Sequence, residues 1–157
     1  DEYEIDRLVQ GGAPIDEFGV GTKMGVSEDA PYLDTVYKLA AYDGDGRMKL
    51  STDKQTLPYR KQVFRDSDDG TISSDTVAIY DERLPGNRLL EHVMANGRRT
   101  DAGHKDLETA RRRASFQIGA LPISLRGLGP SDPPYEVTVS ERLLAATEAL
   151  RSSLERA

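Results

Sequence analysis

Apolar residues occur in this chain only in short runs, the longest of four or five residues, with glycine, proline and acidic residues between them. A membrane-crossing helix needs roughly 20 consecutive apolar residues, so these runs exclude one. Short apolar runs separated by turn signals are typical of small helices and strands packed in layers. With 157 residues, the chain predicts one soluble domain of the α/β class.

The composition narrows the function classes further. The chain has 21 Lys and Arg against 27 Asp and Glu, a net charge of −6, which argues against a nucleic-acid clamp. It has no cysteine, which excludes disulfides, thiolate metal sites and thiol nucleophiles. No signal peptide is recognisable, so the cytosol is the expected compartment. Because the chain opens at Asp1 in a helical pattern, we expect a processed or truncated product.

The first half of the chain predicts one helix followed by strands. Ile5, Leu8 and Val9 follow a helical spacing that ends at Gly11-Gly12. Residues 15–22 predict a brief strand that runs into a glycine turn. Two hairpins are then expected, one joining residues 36–42 to residues 47–50 and the other joining residues 61–65 to residues 76–80.

Beyond Glu82 the pattern becomes mostly helical. Asp106 and Ser140 are each expected to cap a helix, and residues 135–139 predict a strand just before Ser140. The apolar face of the first helix consists of Leu107, Ala110, Ala114, Ile118 and Leu121. The last helix carries Leu143, Thr147, Leu150 and Leu154 on one face.

The strongest candidate for a binding function is the string Gly19, Val20, Gly21 and Thr22. Two glycines in three residues remove the Cβ atoms that would keep a ligand away from the backbone. Successive N–H groups can then converge on phosphate oxygens, with the Thr22 hydroxyl as a further donor. A plain tight turn gives the same short pattern, and on the pattern alone that interpretation is the more frequent one.

Two acidic strings invite a metal interpretation that the spacing does not support. A calcium loop beginning at Asp43 would need oxygen ligands where Arg47 and Lys54 stand, so a hairpin turn is the better interpretation. The carboxylates of residues 66–69 lack a further acidic residue at a useful spacing. We therefore expect no metal site in this chain.

Several basic and histidine residues allow two interpretations each. A basic set could present a positive field to an anion, or could form the hydrated face of a hairpin: Lys49, Lys54, Arg60, Lys61 and Arg65. Arg111, Arg112 and Arg113 fan outward around a helix, which favours a solvated surface. His92 and His104 lack metal-ligand spacing and are expected to be surface or interface residues.

Taken together, many short strings in this chain resemble one family, the C-terminal part of nicotinate phosphoribosyltransferases. Their order and spacing agree with that family over nearly the whole chain. The strings are residues 13–22, 29–31, 36–39, 48–51, 54–65, 89–90, 96–97, 107–111, 121–122 and 135–140.

The resemblance implies an enzyme that joins nicotinate to phosphoribosyl pyrophosphate, giving nicotinate mononucleotide and pyrophosphate in NAD biosynthesis. It also implies ATP hydrolysis through a phosphorylated histidine, Mg²⁺ and a homodimer. The implied fold is the C-terminal part of an irregular α/β barrel of the type II phosphoribosyltransferase kind, with β-hairpins and C-terminal helices in an accompanying region. Gly19, Val20, Gly21 and Thr22 would then form its phosphate-binding loop.

The resemblance also implies a division of the chain and a limit to its chemistry. Residues 1–34 would end the barrel, residues 35–82 would form a β-rich hairpin region, and residues 83–157 a mostly helical region. The family's catalytic histidine and nicotinate-binding residues would lie in a missing N-terminal part, so no catalytic residue is assigned here. The alternative is a non-catalytic structural or phosphate-binding remnant of such an enzyme.

One residue departs from the family pattern. The family commonly has glycine after the proline of its Leu-Pro-Gly-x-Lys string, whereas Tyr59 follows Leu57-Pro58 here. If this position requires a positive φ, a tyrosine is strained there. The geometry of the loop around Lys61 therefore becomes a specific question for the structure.

Overall fold

A computed structural model describes residues 1–26, 37–51 and 55–156 of the chain. It divides the chain into two compact units, Asp1–Tyr37 and Lys38–Ala157. In the described ranges, no helix combines the length and the apolar character needed to cross a membrane. The three-part division at residues 34 and 82 stays a prediction.

The first unit contains the predicted amphipathic helix, α1, over Glu2–Gln10. The Asp1 carboxylate caps it by accepting the Glu4 N–H at 3.0 Å, and Gly12 lies beyond its end at φ +66°. The strand predicted over residues 15–22 is wrong: residues 17–21 form a loop, and Thr22–Gly25 form a single helical turn, α2. A strand needs a neighbour for its hydrogen bonds, and none pairs with this segment in the described part of the unit.

The second unit begins with a small hairpin that is shorter than the sequence predicts. Strand β1 spans Ala41–Tyr42 and pairs with β2, Asp45–Gly46. Asp43 and Gly44 both have positive φ, as a tight two-residue hairpin turn requires. The predicted hairpin is therefore present, but its turn is two residues long, so Asp45 and Gly46 form the second strand; Arg47 follows it and donates its N–H to the Ala40 carbonyl at 2.9 Å. The predicted segment before residue 37 lies outside the described residues.

The main sheet is built on the second predicted hairpin, which the structure confirms. Strand β3, Lys61–Asp68, pairs antiparallel with β4, Thr71–Ile79, placing Lys61 opposite Ile79. The strands extend further than predicted, because Asp66, Ser67 and Asp68 belong to β3 and the turn occurs only at Asp69 and Gly70.

Helices do not fill the chain immediately after Glu82, contrary to the prediction. Short strands come first: β5, Asn87–Arg88, then β6, Met94–Ala95, and β7, Arg98–Arg99. Asn96 and Gly97 between the last two strands have positive φ, the condition for a tight hairpin rather than a helix.

The later elements agree with the sequence. Helix α3 spans Leu107–Gly119, with Asp106 as its cap; strand β8 spans Glu136–Val139; and helix α4 spans Glu141–Leu154, with Ser140 as its cap. Short 3-10 turns lie at Asp101–His104 and Ile123–Leu125. Strand β8 pairs in parallel with β4, so the main sheet has the order β5-β3-β4-β8.

The buried core of the second unit is small and centred on the sheet. Its buried apolar side chains include Phe64, Ile72, Ala78 and Leu143. Gln62 is also fully buried, and its side-chain amide bonds to the backbone of Leu90, two residues beyond β5. The Gln62 side chain donates to the Leu90 carbonyl at 3.1 Å and accepts the Leu90 N–H at 2.9 Å. A buried polar side chain is stable here because its hydrogen bonds are satisfied.

A charged network on the other face of the sheet joins β3, β4 and Tyr135, the residue that precedes the later strand of residues 136–139. The Arg65 guanidinium donates two hydrogen bonds to the Asp75 carboxylate, at 2.8 and 2.7 Å, and the Tyr135 hydroxyl donates to the same carboxylate at 2.9 Å. The Arg65 side chain is 24% exposed and that of Asp75 is 13% exposed. The hydrogen bond from Arg65 lowers the pKa of Asp75, whereas burial and the bond to Asp75 raise the pKa of Tyr135.

This network predicts a pH-dependent contribution to stability. Because the folded-state pKa of Asp75 is lowered, its stabilisation is complete above its ordinary pKa of about 4 and is lost as the pH falls through the folded-state value. We expect Asp75→Asn to lower the free energy of unfolding by about 1–3 kcal/mol at pH 7, because Arg65 loses its partner. Urea denaturation should show the difference from wild type shrinking below pH 4.

Asp81→Asn is the matched control for this prediction. Asp81 accepts two hydrogen bonds from Arg142, but this pair is more than half exposed. Exposed ion pairs contribute little to stability. Equal effects of the two substitutions, or an Asp75→Asn effect that does not change with pH, would contradict the assignment.

Candidate functional site

The predicted phosphate loop lies in the first unit, at the start of α2. Phe18, Gly19, Val20, Gly21 and Thr22 are all exposed. Gly21 precedes the helical turn with extended backbone, and its carbonyl accepts the Gly25 N–H at 3.2 Å. The backbone of the loop is therefore accessible from solvent, as the phosphate-loop prediction requires.

The two glycines of this loop are not required by the local fold. A Cβ built on Gly19 or Gly21 meets no atom within 4 Å in the described part of the chain, and neither residue has a positive φ. By contrast, a Cβ on Gly46 would lie 2.7 Å from the Tyr59 ring. Packing and backbone conformation thus account for glycine at residue 46 but not at residues 19 and 21. The role of the loop in binding stays a prediction.

The basic set does not form one positive patch in the described structure. Lys54 lies outside the described residues, and three other members are committed to neighbours. Arg60 stacks over the Tyr80 ring at 3.5 Å, Arg65 binds Asp75, and Lys61 binds backbone carbonyls. For these three residues, the contacts favour a role in the fold over a positive field that attracts an anion.

Tyr59 has a φ of +65°, a left-handed conformation that a glycine adopts without strain and a tyrosine does not. Such a conformation costs a non-glycine residue roughly 1–2 kcal/mol. Its backbone N–H donates to the Ala40 carbonyl at 2.6 Å, and its ring lies against Gly46. The side chain thus contacts the hairpin of β1 and β2, a contact that glycine cannot make.

Lys61 holds the same loop from the other side. Its ammonium donates to the carbonyl oxygens of Leu57 at 2.7 Å and of Tyr59 at 2.8 Å, with the Pro58 carbonyl at 3.4 Å. Burial lowers the pKa of Lys61. The charge of this lysine is therefore used to orient loop carbonyls rather than to attract an anion.

Lys61 and Tyr59 are accordingly expected to be energetically coupled. Lys61→Met should lower the free energy of unfolding by about 1 kcal/mol when Tyr59 is present, because the loop carbonyls lose their donor. In a Tyr59→Gly background the loss should be smaller by about 0.5 kcal/mol or more, since glycine adopts the left-handed backbone without help. Urea denaturation of the four proteins of the cycle measures the coupling. Lys49→Met, at an exposed lysine, is the control, and additive effects would disprove the coupling.

A groove of about 530 Å³ lies beside the first turn of α4. The N-terminus of α4 at this groove already has a carboxylate partner, Glu82. The Ser140 hydroxyl accepts the Leu143 N–H at 3.2 Å and donates to Glu82 at 2.8 Å, and Glu82 also accepts the Ile79 N–H at 2.6 Å. Because Glu82 supplies the negative charge that a helix N-terminus favours, these contacts serve the fold and do not create an anion site.

Metal ligands are not gathered in the described ranges, where no group of three or more His, Asp or Glu side chains could hold an ion. Asp43 lies in the turn of the first hairpin, and Asp66, Asp68 and Asp69 are exposed around the β3–β4 turn. His92 and His104 are exposed as well. The structure therefore brings none of these residues together into a site.

The comparisons with known proteins agree with one another. The chain is 46% identical over 151 residues to the nicotinate phosphoribosyltransferase pncB2 of Mycobacterium tuberculosis, and this match covers 96% of the chain and 33% of the relative. It is 40% identical to the human nicotinate phosphoribosyltransferase, over 96% of the chain and 32% of the relative. The chain thus spans about one third of the length of these curated relatives. No family model matches the chain.

The fold agrees with the sequence matches. This chain is similar to a crystal structure of human nicotinic acid phosphoribosyltransferase, with a TM-score of 0.56 and 25% sequence identity. The superposition covers 73% of this chain and 26% of the human chain. The sheet and helices described above are therefore the mixed α/β architecture of a segment from such an enzyme. The chain belongs to the nicotinate phosphoribosyltransferase family and corresponds to the C-terminal segment of these enzymes.

Proposed function

We propose that this chain supplies the C-terminal third of an enzyme that transfers a phosphoribosyl group to nicotinate. The observation that carries the proposal is the 46% identity over 96% of the chain with a nicotinate phosphoribosyltransferase. In this reaction the ring nitrogen of nicotinate bonds to the ribose C1 of phosphoribosyl pyrophosphate as pyrophosphate leaves. The products are nicotinate mononucleotide and pyrophosphate, a step of NAD biosynthesis.

Within this reaction, the contribution of the chain is to hold the ribose 5-phosphate. We assign the backbone N–H groups of Gly19 to Thr22, together with the Thr22 hydroxyl, as donors to the phosphate oxygens. The support is the exposed backbone of the loop and the open space at both glycines, where no local packing calls for a missing Cβ. Donors fixed in advance hold the 5-phosphate and thereby orient the ribose C1 toward the ring nitrogen of nicotinate.

The remaining features of the family are proposals for the whole enzyme. They are completion of an irregular α/β barrel, coupled ATP hydrolysis, Mg²⁺, a homodimer and a cytosolic location. The described residues offer no cluster of carboxylates or histidines suited to Mg²⁺. We therefore assign no metal ligand and derive no step through the ion from this segment.

A chimera tests the phosphate loop directly. In the Mycobacterium tuberculosis relative, this chain would replace the third that it matches, and the chimera would be assayed for nicotinate mononucleotide. We expect activity in the chimera and its near-complete loss in Gly21→Val, because a branched side chain obstructs the approach of the phosphate. Thr22→Ala removes a hydrogen bond to a charged group, worth about 1.5–3 kcal/mol, so phosphoribosyl pyrophosphate should bind roughly ten- to a hundredfold more weakly.

Gly129→Val is the matched control for this experiment, because Gly129 also has open space around its Cβ position and no positive φ. It should leave the affinity for phosphoribosyl pyrophosphate unchanged, and all variants should bind nicotinate normally. Unchanged affinity in a folded Gly21→Val chimera would return the loop to the plain-turn interpretation. An inactive but folded chimera would favour the alternative, a non-catalytic remnant.

The isolated 157-residue chain is expected to have no phosphoribosyltransferase activity, because the proposed site takes most of its ligands from the rest of the enzyme. The assay would supply nicotinate, phosphoribosyl pyrophosphate, ATP and Mg²⁺ to the purified chain and follow nicotinate mononucleotide. The active chimera serves as the positive control. Turnover by the chain alone would show that the site is complete within this segment.

A further inference from the structure

Helix α3 has no buried side chain, although its sequence has a clear apolar face. Leu107 is 84% exposed and Ile118 is 59% exposed, and none of the 13 residues is buried in the part of the chain that the structure describes. A helix of this length is marginal in water unless its apolar face packs against something. The exposure of α3 therefore indicates a missing partner surface.

Four apolar residues of α3, three of them exposed and Ala110 half-buried, form a stripe along one side of the helix. At about 100° per residue, Leu107, Ala110, Ala114 and Ile118 lie within one narrow sector. Phe116, also exposed, lies roughly opposite them. We call the four residues Leu107, Ala110, Ala114 and Ile118 the α3 stripe.

The end of α3 is anchored to the sheet, so the stripe is held in a defined position. The Ile72 N–H of β4 donates to the Ala120 carbonyl at 2.8 Å. Arg126 donates to the carbonyls of Gly119 at 2.6 Å and Leu121 at 2.9 Å. These bonds satisfy carbonyls that the end of a helix leaves without partners. The helix is thus fixed at one end while its apolar side stays open.

We propose that the α3 stripe docks onto the remaining two thirds of the nicotinate phosphoribosyltransferase, an inference that rests on the proposed function. The relatives are about three times as long as the segment they share with this chain, so they contain the material for a covering surface. The stripe is uncharged and Arg111 lies at its border, again by the helical spacing. The covering surface is accordingly apolar at its centre, with a carboxylate at the edge that faces Arg111.

Amide hydrogen exchange of the chimera described above tests this surface. The amides of α3 should exchange at least tenfold more slowly in the chimera than in the isolated chain, because docking removes the local opening of a marginal helix. Equal exchange in the two proteins would overturn the proposal. Protection of α3 in the isolated chain that rises with protein concentration would also overturn it, because the occupant would then be a second copy of this chain.

Two matched substitutions locate the docking side. Ile118→Asp and Phe116→Asp each place a carboxylate in the last turn of α3, so their costs to the helix itself are similar. In the chimera, Ile118→Asp should lower Tm by several degrees and speed exchange of the α3 amides, whereas Phe116→Asp should show only the smaller helix cost that the two variants share. Equal effects of the two would contradict the assignment of the stripe.

Activity separates this inference from the proposed function. An active chimera whose α3 amides stay unprotected refutes the docking surface while the proposed function stands. A folded chimera with protected α3 amides and no turnover refutes the proposed function while the docking surface stands.

Discussion

The hairpin of β3 and β4 is the structure on which the second unit depends. Strand β5 pairs with β3, β8 pairs with β4, and the end of α3 is bonded to Ile72 of β4. The Arg65–Asp75 ion pair lies across the same two strands and recruits Tyr135 from the chain before β8. Elements that are distant in the sequence are therefore held by the β3–β4 hairpin. Its two strands are joined by a two-residue turn, which closes at little entropic cost.

The loop before β3 shows how a residue other than glycine is held in a left-handed backbone conformation. Tyr59 adopts this conformation, and Lys61 donates to the carbonyl oxygens of Leu57 and of Tyr59 itself. The tyrosine ring in turn fills the space that Gly46 leaves open. A strained residue persists where its surroundings determine its conformation, and here three separate contacts do so.

Much of this architecture could be predicted from the sequence, because it rests on local signals. The caps at Asp106 and Ser140 and the alternation of residues 61–65 with 76–80 depend on neighbours close in the chain. The family could also be predicted, from many short strings in a consistent order. The strand over residues 15–22 and the helices after Glu82 were predicted wrongly, since strand formation depends on a partner and short hairpins depend on turn residues such as Asn96 and Gly97.

The sequence by itself determined the class of the chain, its main hairpin, its capped helices and the glycine loop that is the candidate for phosphate binding. Only the tertiary structure decided that Gln62 is buried against the Leu90 backbone, and that Asp75 is shared by Arg65 and Tyr135. A periodic pattern shows which side of an element is apolar, but not what covers that side. Helix α3 illustrates the difference, because spacing predicts its apolar face, whereas its exposure is seen only in the arrangement of the described elements.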